Sequence, residues 1–328
     1  MATTRPNYQD VANRLDPDGK VAKIVEILNE TNEILDDMMV MEGNLVTGHK
    51  TTVRTGLPSA TWRLLNYGVQ PSKSQTVPVT DQSGMLEAYA EVDKDLAMLN
   101  GNTSEFRLSE DRAFLESMNQ EMAEALFYGS VAVDPEKFTG LSPRYNVLST
   151  DSTKSGYNII DGGGTGTDNT SIWLVVWGPN TIHGIYPKGS MAGFMHEDLG
   201  QQTLTDAAGG RYEGYRTHYQ WKIGLTVRDW RYAVRIANID WSATTTATSA
   251  PDLVDLMIDA IEQIPNLNMG TPVFYMRREI RTALRKQIKD TSNVNLTIDS
   301  VAGKRVTSFD EIPVKRVDQL TNSEARIT

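Results

Sequence analysis

Cysteine is missing from all 328 residues, which removes disulfides, thiolate nucleophiles and sulfur-ligated zinc in one step. Rigidity must come from packing. Histidine is scarce as well, and His49, His183, His196 and His218 form no metal-binding cluster in the sequence. No apolar run approaches the ~18 residues that a membrane helix needs, and residues 1–10 lack the apolar stretch of a signal peptide, so folding is expected in the cytoplasm where the chain is made. An excess of basic charge is also lacking. The formal net charge is −10, opposite to the cationic footprint with which a sequence-reading DNA-binding protein grips phosphates. An acidic wall remains compatible with enclosing DNA, because a duplex slides past a surface that does not hold its phosphates.

What is present is an ordinary globular composition, 39% hydrophobic and 23% charged, so the chain should fold into one or two compact units. After a turn at Asp16-Pro17-Asp18-Gly19, the residues Val21, Ile24, Val25, Leu28, Leu35, Met38 and Met39 recur at helical spacing and predict one amphipathic helix. Its stripe packs either on its own domain or, as an arm, on a neighbour. Residues 49–84 change to β-prone pieces at 51–54, 61–66 and 75–80, divided by Gly56, Pro58, Gly68, Pro71 and Ser83-Gly84. They read as a long hairpin, whose arms of ~15 residues would reach on the order of 50 Å. A lone two-stranded ribbon is marginal in water, so it needs a surface to lie on, its own domain or a neighbouring subunit. On a neighbour, Lys50, Arg54, Arg63 and Lys73 would make ion pairs more specific than strong.

Ser109, followed by Glu110 and Asp111, predicts the start of a helix over 109–128, with Phe114, Leu115, Met118, Met122, Ala125 and Leu126 as its apolar face and Gly129 as its stop. A loop follows at 134–146, and the tract Gly162-Gly163-Gly164-Thr165-Gly166-Thr167 predicts an exposed, mobile loop. The apolar run 172–177 and the piece 181–186, separated by Gly178-Pro179-Asn180, predict a buried hairpin. Alternation at Tyr215, Thr217, Tyr219, Trp221 and Ile223, and again at Tyr232, Val234 and Ile236, predicts half-buried antiparallel strands. Helices are expected from Pro251 onward and over 276–289, and short strands at 273–275, 296–298, 304–307 and 313–317. Helices and mostly antiparallel strands without regular alternation give an α+β fold.

Catalytic signatures fail one after another. Gly43-Asn44-Leu45-Val46-Thr47-Gly48-His49-Lys50-Thr51 nearly spells a phosphate-binding loop, but His49 stands where the lysine must be. His196-Glu197 opens like a zinc-protease helix, yet Gly200 takes the place of the second histidine. No Gly-x-Ser-x-Gly elbow exists. The aromatic set Tyr212, Tyr215, Tyr219, Trp221, Trp230, Tyr232 and Trp241 could stack on sugars, although aromatics on strands mostly fill cores. Arg277, Arg278, Arg281, Arg285, Lys286 and Lys289 against Glu279 give the last helix a basic face, suited to solvent or to acidic partners in another subunit.

Several segments carry a resemblance. They are Val25-Glu26-Ile27-Leu28 through Asn32-Glu33-Ile34-Leu35, Gly43-Asn44, Val53-Arg54-Thr55-Gly56-Leu57-Pro58, Trp62-Arg63-Leu64-Leu65-Asn66-Tyr67-Gly68-Val69, Phe138-Thr139-Gly140-Leu141-Ser142-Pro143-Arg144-Tyr145-Asn146 and Phe309-Asp310-Glu311-Ile312-Pro313-Val314-Lys315-Arg316-Val317-Asp318. In wording and order these resemble a group of phage major capsid proteins, found mainly among short-tailed phages. The resemblance implies the tailed-phage major capsid fold. Residues 1–48 would be an N-terminal arm, 49–84 an extended β-hairpin loop overlapping an adjacent subunit, and 85–146 a peripheral domain with a long spine helix, rejoined by strands of 300–328. Residues 147–299 would be mainly an axial domain. Ile24, Leu28, Leu35, Arg54, Trp62, Arg63, Asn66, Arg281 and Arg285 are the expected intersubunit contacts.

With the resemblance come expected partners: copies of the chain in hexamers and pentamers, a portal protein, and a decoration or cement protein left open. Because about fifty residues precede the ribbon, a separate scaffolding protein is expected too. The shell would enclose double-stranded DNA without reading its sequence, with no membrane, no cofactor, no metal and no catalytic residue, and would be assembled in the host cytoplasm into a virion capsid. The rivals are a cellular nanocompartment shell of the same fold and a carbohydrate-binding protein.

Overall fold

In the computed structural model, residues 32–98, 103–206, 208–246, 250–290, 296–301 and 304–328 are described. The first elements are a helical turn, α1 (Ile34–Asp37), and a short strand, β1 (Val40–Glu42). Apolar spacing predicted one helix through Met39, but Met38 is already extended with ψ 111°, because the chain there leaves the helix to join a sheet. Ile24 and Leu28 lie outside the described residues. Next come β2 (Gly48–Gly56), the long β3 (Gln75–Asp93), α2 (Lys94–Met98) and the 26-residue helix α3 (Thr103–Tyr128). Ser109 does not cap α3; it lies inside it, one turn beyond Phe106, which is buried and extends the apolar face toward the N-terminus. Leu115, expected on that face, is exposed.

The rest of the chain is mixed: β4 (Ile159–Asp161), β5 (Asn169–Trp177), β6 (Ile182–Tyr186), β7 (Phe194–Thr205), β8 (Arg211–Val227), β9 (Ala233–Asp240), α4 (Trp241–Thr246), α5 (Leu253–Glu262), β10 (Thr271–Met276), α6 (Arg278–Asp290), β11 (Leu296–Val301), β12 (Lys304–Phe309) and β13 (Ile312–Arg316). No βα alternation organises them, so the fold is α+β. They form two compact units: residues 85–122 with 193–222, and residues 31–84 with 123–192 and 223–328.

In the smaller unit, α3 lays Phe106, Phe114 and Met118 against strands. Phe106 joins Val92, Leu96, Ala97 and Tyr215, while Phe114 and Met118 join Ala90, Tyr219 and Trp221. Glu91 pairs with Arg216, the Tyr89 ring stacks on His218 and Glu87 meets Gln220. These partners step in opposite directions, so β3 and β8 run antiparallel. β7 pairs with β8 from Phe194↔Trp221 to Thr205↔Arg211. His196 therefore lies on a strand, and the zinc-helix pattern has no helix to sit on.

The larger unit is built on the strand order β4-β9-β5-β10-β13-β12-β11, in which β4 with β9 and β10 with β13 are parallel and the other neighbours antiparallel. Alternation sends Ile172, Leu174 and Val176 of β5 into the core shared with Leu253, Val254, Met257, Ile280 and Leu284 of α5 and α6. Trp173 goes to the other face, against Phe127 at 6.1 Å and Tyr145 at 5.8 Å between ring centroids. Burial on both faces explains the unbroken apolar run of β5.

Three expectations change here. β5 and β6 are not a hairpin: they touch at a single parallel position, Trp177↔Ile182, and β6 takes β8 and β1 as partners. β9 is buried on both faces instead of one, since Val234 and Ile236 join the core under α5 and α6 while Arg235 packs against Tyr145 and Trp173 on the other side. The glycine tract is pinned in place, with Gly162 N and Gly164 N donating to Ala237 O (2.8 Å) and Asn238 O (2.7 Å). A Cβ on Gly164 would stand 2.4 Å from Asn169 Oδ1, so glycine serves close packing there and not looseness.

Candidate intersubunit surfaces

The ribbon has a fixed root and a bare tip. β2 and β3 pair from Gly48↔Gln82 to Val53↔Val77 and Arg54↔Thr76, and the ladder ends in a bulge at Gly56↔Gln75. At the root Asp81, nearly sealed from water, meets Arg144 at 2.8 Å and accepts from Thr226 Oγ1 at 2.9 Å. Arg144 also donates to Gly140 O and Leu225 O at 3.2 and 3.3 Å. The Asn44 side chain copies a strand partner, donating to Lys50 O and accepting from Lys50 N, both at 2.7 Å. Gly48 admits no side chain, since a Cβ would lie 2.0 Å from Asp81 O. The near phosphate-loop segment thus runs into a strand, with His49 on it.

His49 packs edge-on to His183 at 5.8 Å. Burial, with the charges of His49 and Arg228 adding to it, lowers the pKa of His183 to about 4, so this root is assembled with a neutral imidazole.

Beyond the ladder, residues 57–74 contain no strand. The piece predicted at 61–66 has no partner within the described residues, and a strand without a ladder is not retained. Every residue of the tip is exposed, including Leu57 (81%), Trp62 (104%), Leu65 (84%) and Tyr67 (70%). Asn66 turns the chain with φ 70°, and Ser72 Oγ ties the two sides through Ser59 O at 2.9 Å. From 44 to 80 there is no acid, only the bases Lys50, Arg54, Arg63 and Lys73 besides His49. The tip is thus apolar and cationic, on a root held by ion pairs and hydrogen bonds.

The other expected contact residues separate. Leu35 is half-buried beside the fully buried Ile34, and α1 is clamped where Tyr275 Oη donates to Asp37 Oδ2 at 2.8 Å and Lys315 pairs with Asp37. Arg281 turns inward to Thr307 Oγ1 at 2.9 Å, while Arg285 on the same helix is exposed. Sequence reasoning named Trp62, Arg63 and Asn66 on the tip but not the exposed Leu57, Leu64, Leu65, Tyr67 and Val69, whose apolarity alone did not tell core from surface. The aromatic set on β8 and after it packs inward: Tyr219 is fully buried between Phe114 and Phe194, and none of the seven presents an open face. Among the described residues no three His, Asp or Glu side chains gather as a metal site, and no helix is long and apolar enough to cross a membrane.

A family model described as major capsid protein GP7 matches residues 16–328. The chain belongs to that family. A solved structure of bacteriophage Epsilon15, from cryo-EM, is 37% identical with a TM-score of 0.78, over 100% of this chain and 98% of that one. The tailed-phage capsid fold and the function follow: this capsid protein assembles with copies of itself, in hexamers and pentamers, into the icosahedral head shell of a phage. The bacteriophage JBD30 capsid is a distant likeness, 8% identical with a TM-score of 0.49 over 88% of this chain and 91% of that one. An encapsulin from Synechococcus elongatus PCC 7942 is 10% identical with a TM-score of 0.43, over 70% and 95%. Neither is near enough to bear on function. No curated protein matches.

Proposed function

We propose that the ribbon tip, residues 57–74, is the fastening by which each subunit holds an adjacent one, with Arg54, Trp62, Arg63 and Asn66 in the contact and Ile24, Leu28 and Leu35 contributing from the arm. The observation that carries this is Trp62, wholly exposed on a tip that also presents Leu57, Leu64 and Leu65. Burying an aromatic of that size against a partner supplies on the order of 2 kcal/mol, and obligate shell contacts commonly bury ~2,000 Å² or more. In this reading residues 49–84 are the extended loop, and α3 is the spine of a peripheral domain drawn from residues 85–146, with strands of 300–328 rejoining it. Residues 147–299 supply most of an axial domain whose copies meet around fivefold and sixfold centres, where the exposed Arg285 takes part while Arg281 stays turned inward on Thr307.

The further partners of this reading are a separate scaffolding protein, a portal protein and a decoration protein, with assembly in the host cytoplasm. Double-stranded DNA is enclosed without sequence reading, which the net charge of −10 supports. The subunit works without catalysis or cofactor. The test replaces residues 57–74 with Asn-Gly, a turn suited to closing the two arms. Light scattering and electron microscopy should then find folded, soluble protein and no shells; normal shells would overturn the role given to the tip.

A further inference from the structure

The two helices that cover one face of the larger unit's sheet carry opposite charge. α5 with its cap has Asp252, Asp255, Asp259 and Glu262 and no base, whereas α6 has five bases against Glu279 and Asp290. Asp252 is occupied as the cap, accepting from Val254 N at 3.0 Å and Asp255 N at 3.3 Å. Asp255, Asp259 and Glu262 follow at i, i+4 and i+7 and so share one stripe, all of it exposed, with Ile258 exposed between them. On α6, Arg278 is taken by Asp318 and Arg281 by Thr307. Arg285 and Lys286 remain exposed.

The helices are neighbours, yet these charges do not meet. Gln287 of α6 accepts from Leu253 N at 3.1 Å and donates to Pro251 O at 2.8 Å, and the inward faces share one apolar core. Among the described residues the ion pairs of α6 and the strand ends beside it include Arg277 with Glu279, Arg278 with Asp318, Arg316 with Asp318 and Lys315 with Asp37. None involves the α5 stripe, Arg285 or Lys286. Like charges four residues apart repel along a helix, so the stripe opposes folding of the lone subunit. A cationic surface from outside would reverse that penalty, and this chain carries such a surface one helix away. Two different, complementary patches on one subunit suit head-to-tail association, where each copy offers one patch and receives the other.

We propose that Asp255, Asp259 and Glu262 of one subunit face Arg285 and Lys286 of the adjacent copy in the same ring, with Ile258 in the contact. The ring part of this rests on the axial-domain reading above; the pairing of the two helices rests on their charge. Because the chain has no cysteine, Asp259→Cys and Lys286→Cys in one chain report on it directly. Oxidation of assembled shells should give covalent ladders that end at five and six subunits. Dimers alone would uphold the helix contact and overturn the ring. Monomers alone, with thiols free or joined within one chain, would overturn the contact.

Charge reversal supplies an independent reading. Asp255→Lys with Asp259→Lys, or Arg285→Glu with Lys286→Glu, should each lower shell yield roughly tenfold while leaving the circular dichroism of the subunit unchanged. Joining both pairs in one chain should restore assembly. Unaltered yield in the reversed chains, or no recovery in the combined chain, would overturn the pairing.

Discussion

Arg235 and Glu324 lie 2.8 Å apart with side-chain exposures of 3% and 6%, so the larger unit contains an ion pair almost wholly removed from water. The rest of its valence is filled. Arg235 donates to Tyr145 O at 2.8 Å and Ser171 Oγ at 3.0 Å, and its guanidinium lies over the Trp173 ring at 5.0 Å. Glu324 accepts from Tyr128 Oη at 2.6 Å and from Ser171. Burial pushes the Tyr128 pKa upward, and the Glu324 charge pushes it further, so the phenol stays protonated as a donor. The pair fastens the chain near its C-terminus to β5 and β9, and Asn238 extends the seam by exchanging two 2.8 Å hydrogen bonds with the Ile327 backbone.

Removing one partner of such a pair strands a buried charge. Glu324→Ala should therefore lower subunit stability by roughly 3 to 5 kcal/mol, and Glu324→Gln by less, because it keeps the hydrogen-bonding shape. Denaturant midpoints of the unassembled protein measure both. A loss under about 0.5 kcal/mol for Glu324→Ala, the range of surface substitutions, would mean that the seam is open to water.

The β12 to β13 hairpin turns on Asp310 and Glu311, with φ 46° and 65°, between Phe309 and Ile312, which are paired and buried. Left-handed backbone disfavours most L residues, and Asn-Gly is the pair that two-residue hairpin loops prefer. Both side chains are exposed, so exchanging them removes no packing. Asp310→Asn with Glu311→Gly should raise stability by about 1 kcal/mol, read as a higher denaturation midpoint; a lower midpoint would contradict the strain.

Acid should loosen the ribbon root through His183. An unfolded histidine titrates near 6.5, whereas in the fold burial, reinforced by the charges of His49 and Arg228, brings His183 to about 4. The depressed value means that unfolded chains bind the proton first. The contribution is complete above pH 6.5 and is lost as pH falls from 6.5 toward 4, by about 3 kcal/mol. Denaturation curves across that window should steepen this loss in the natural chain and flatten it in His183→Gln. Equal slopes in the two proteins would exclude His183 as the source.

Helical spacing made the amphipathic α5 and α6 legible, because each buries one face, and β5 was legible as an unbroken apolar run because it is buried on both faces. β7 was not legible. Its sequence from Phe194 to Thr205 is mostly polar and its side chains mostly exposed, so it lacks the alternation that a half-buried strand displays. The same limit affected the contact surfaces. The tip's bases and Trp62 stood out, but Leu57, Leu64 and Leu65 read like core residues, and the strand expected over 61–66 had no partner in its own chain. The α5 stripe was invisible until Asp255, Asp259 and Glu262 could be seen to make no ion pair among the described residues while the neighbouring α6 held exposed bases.

The most direct test of the account is a cryo-EM reconstruction of the assembled shell, resolved well enough to trace residues 57–74. The prediction is that the tip lies on an adjacent subunit with the Trp62 indole buried there. A tip folded back onto its own chain, or projecting into solvent with Trp62 uncovered, would contradict it.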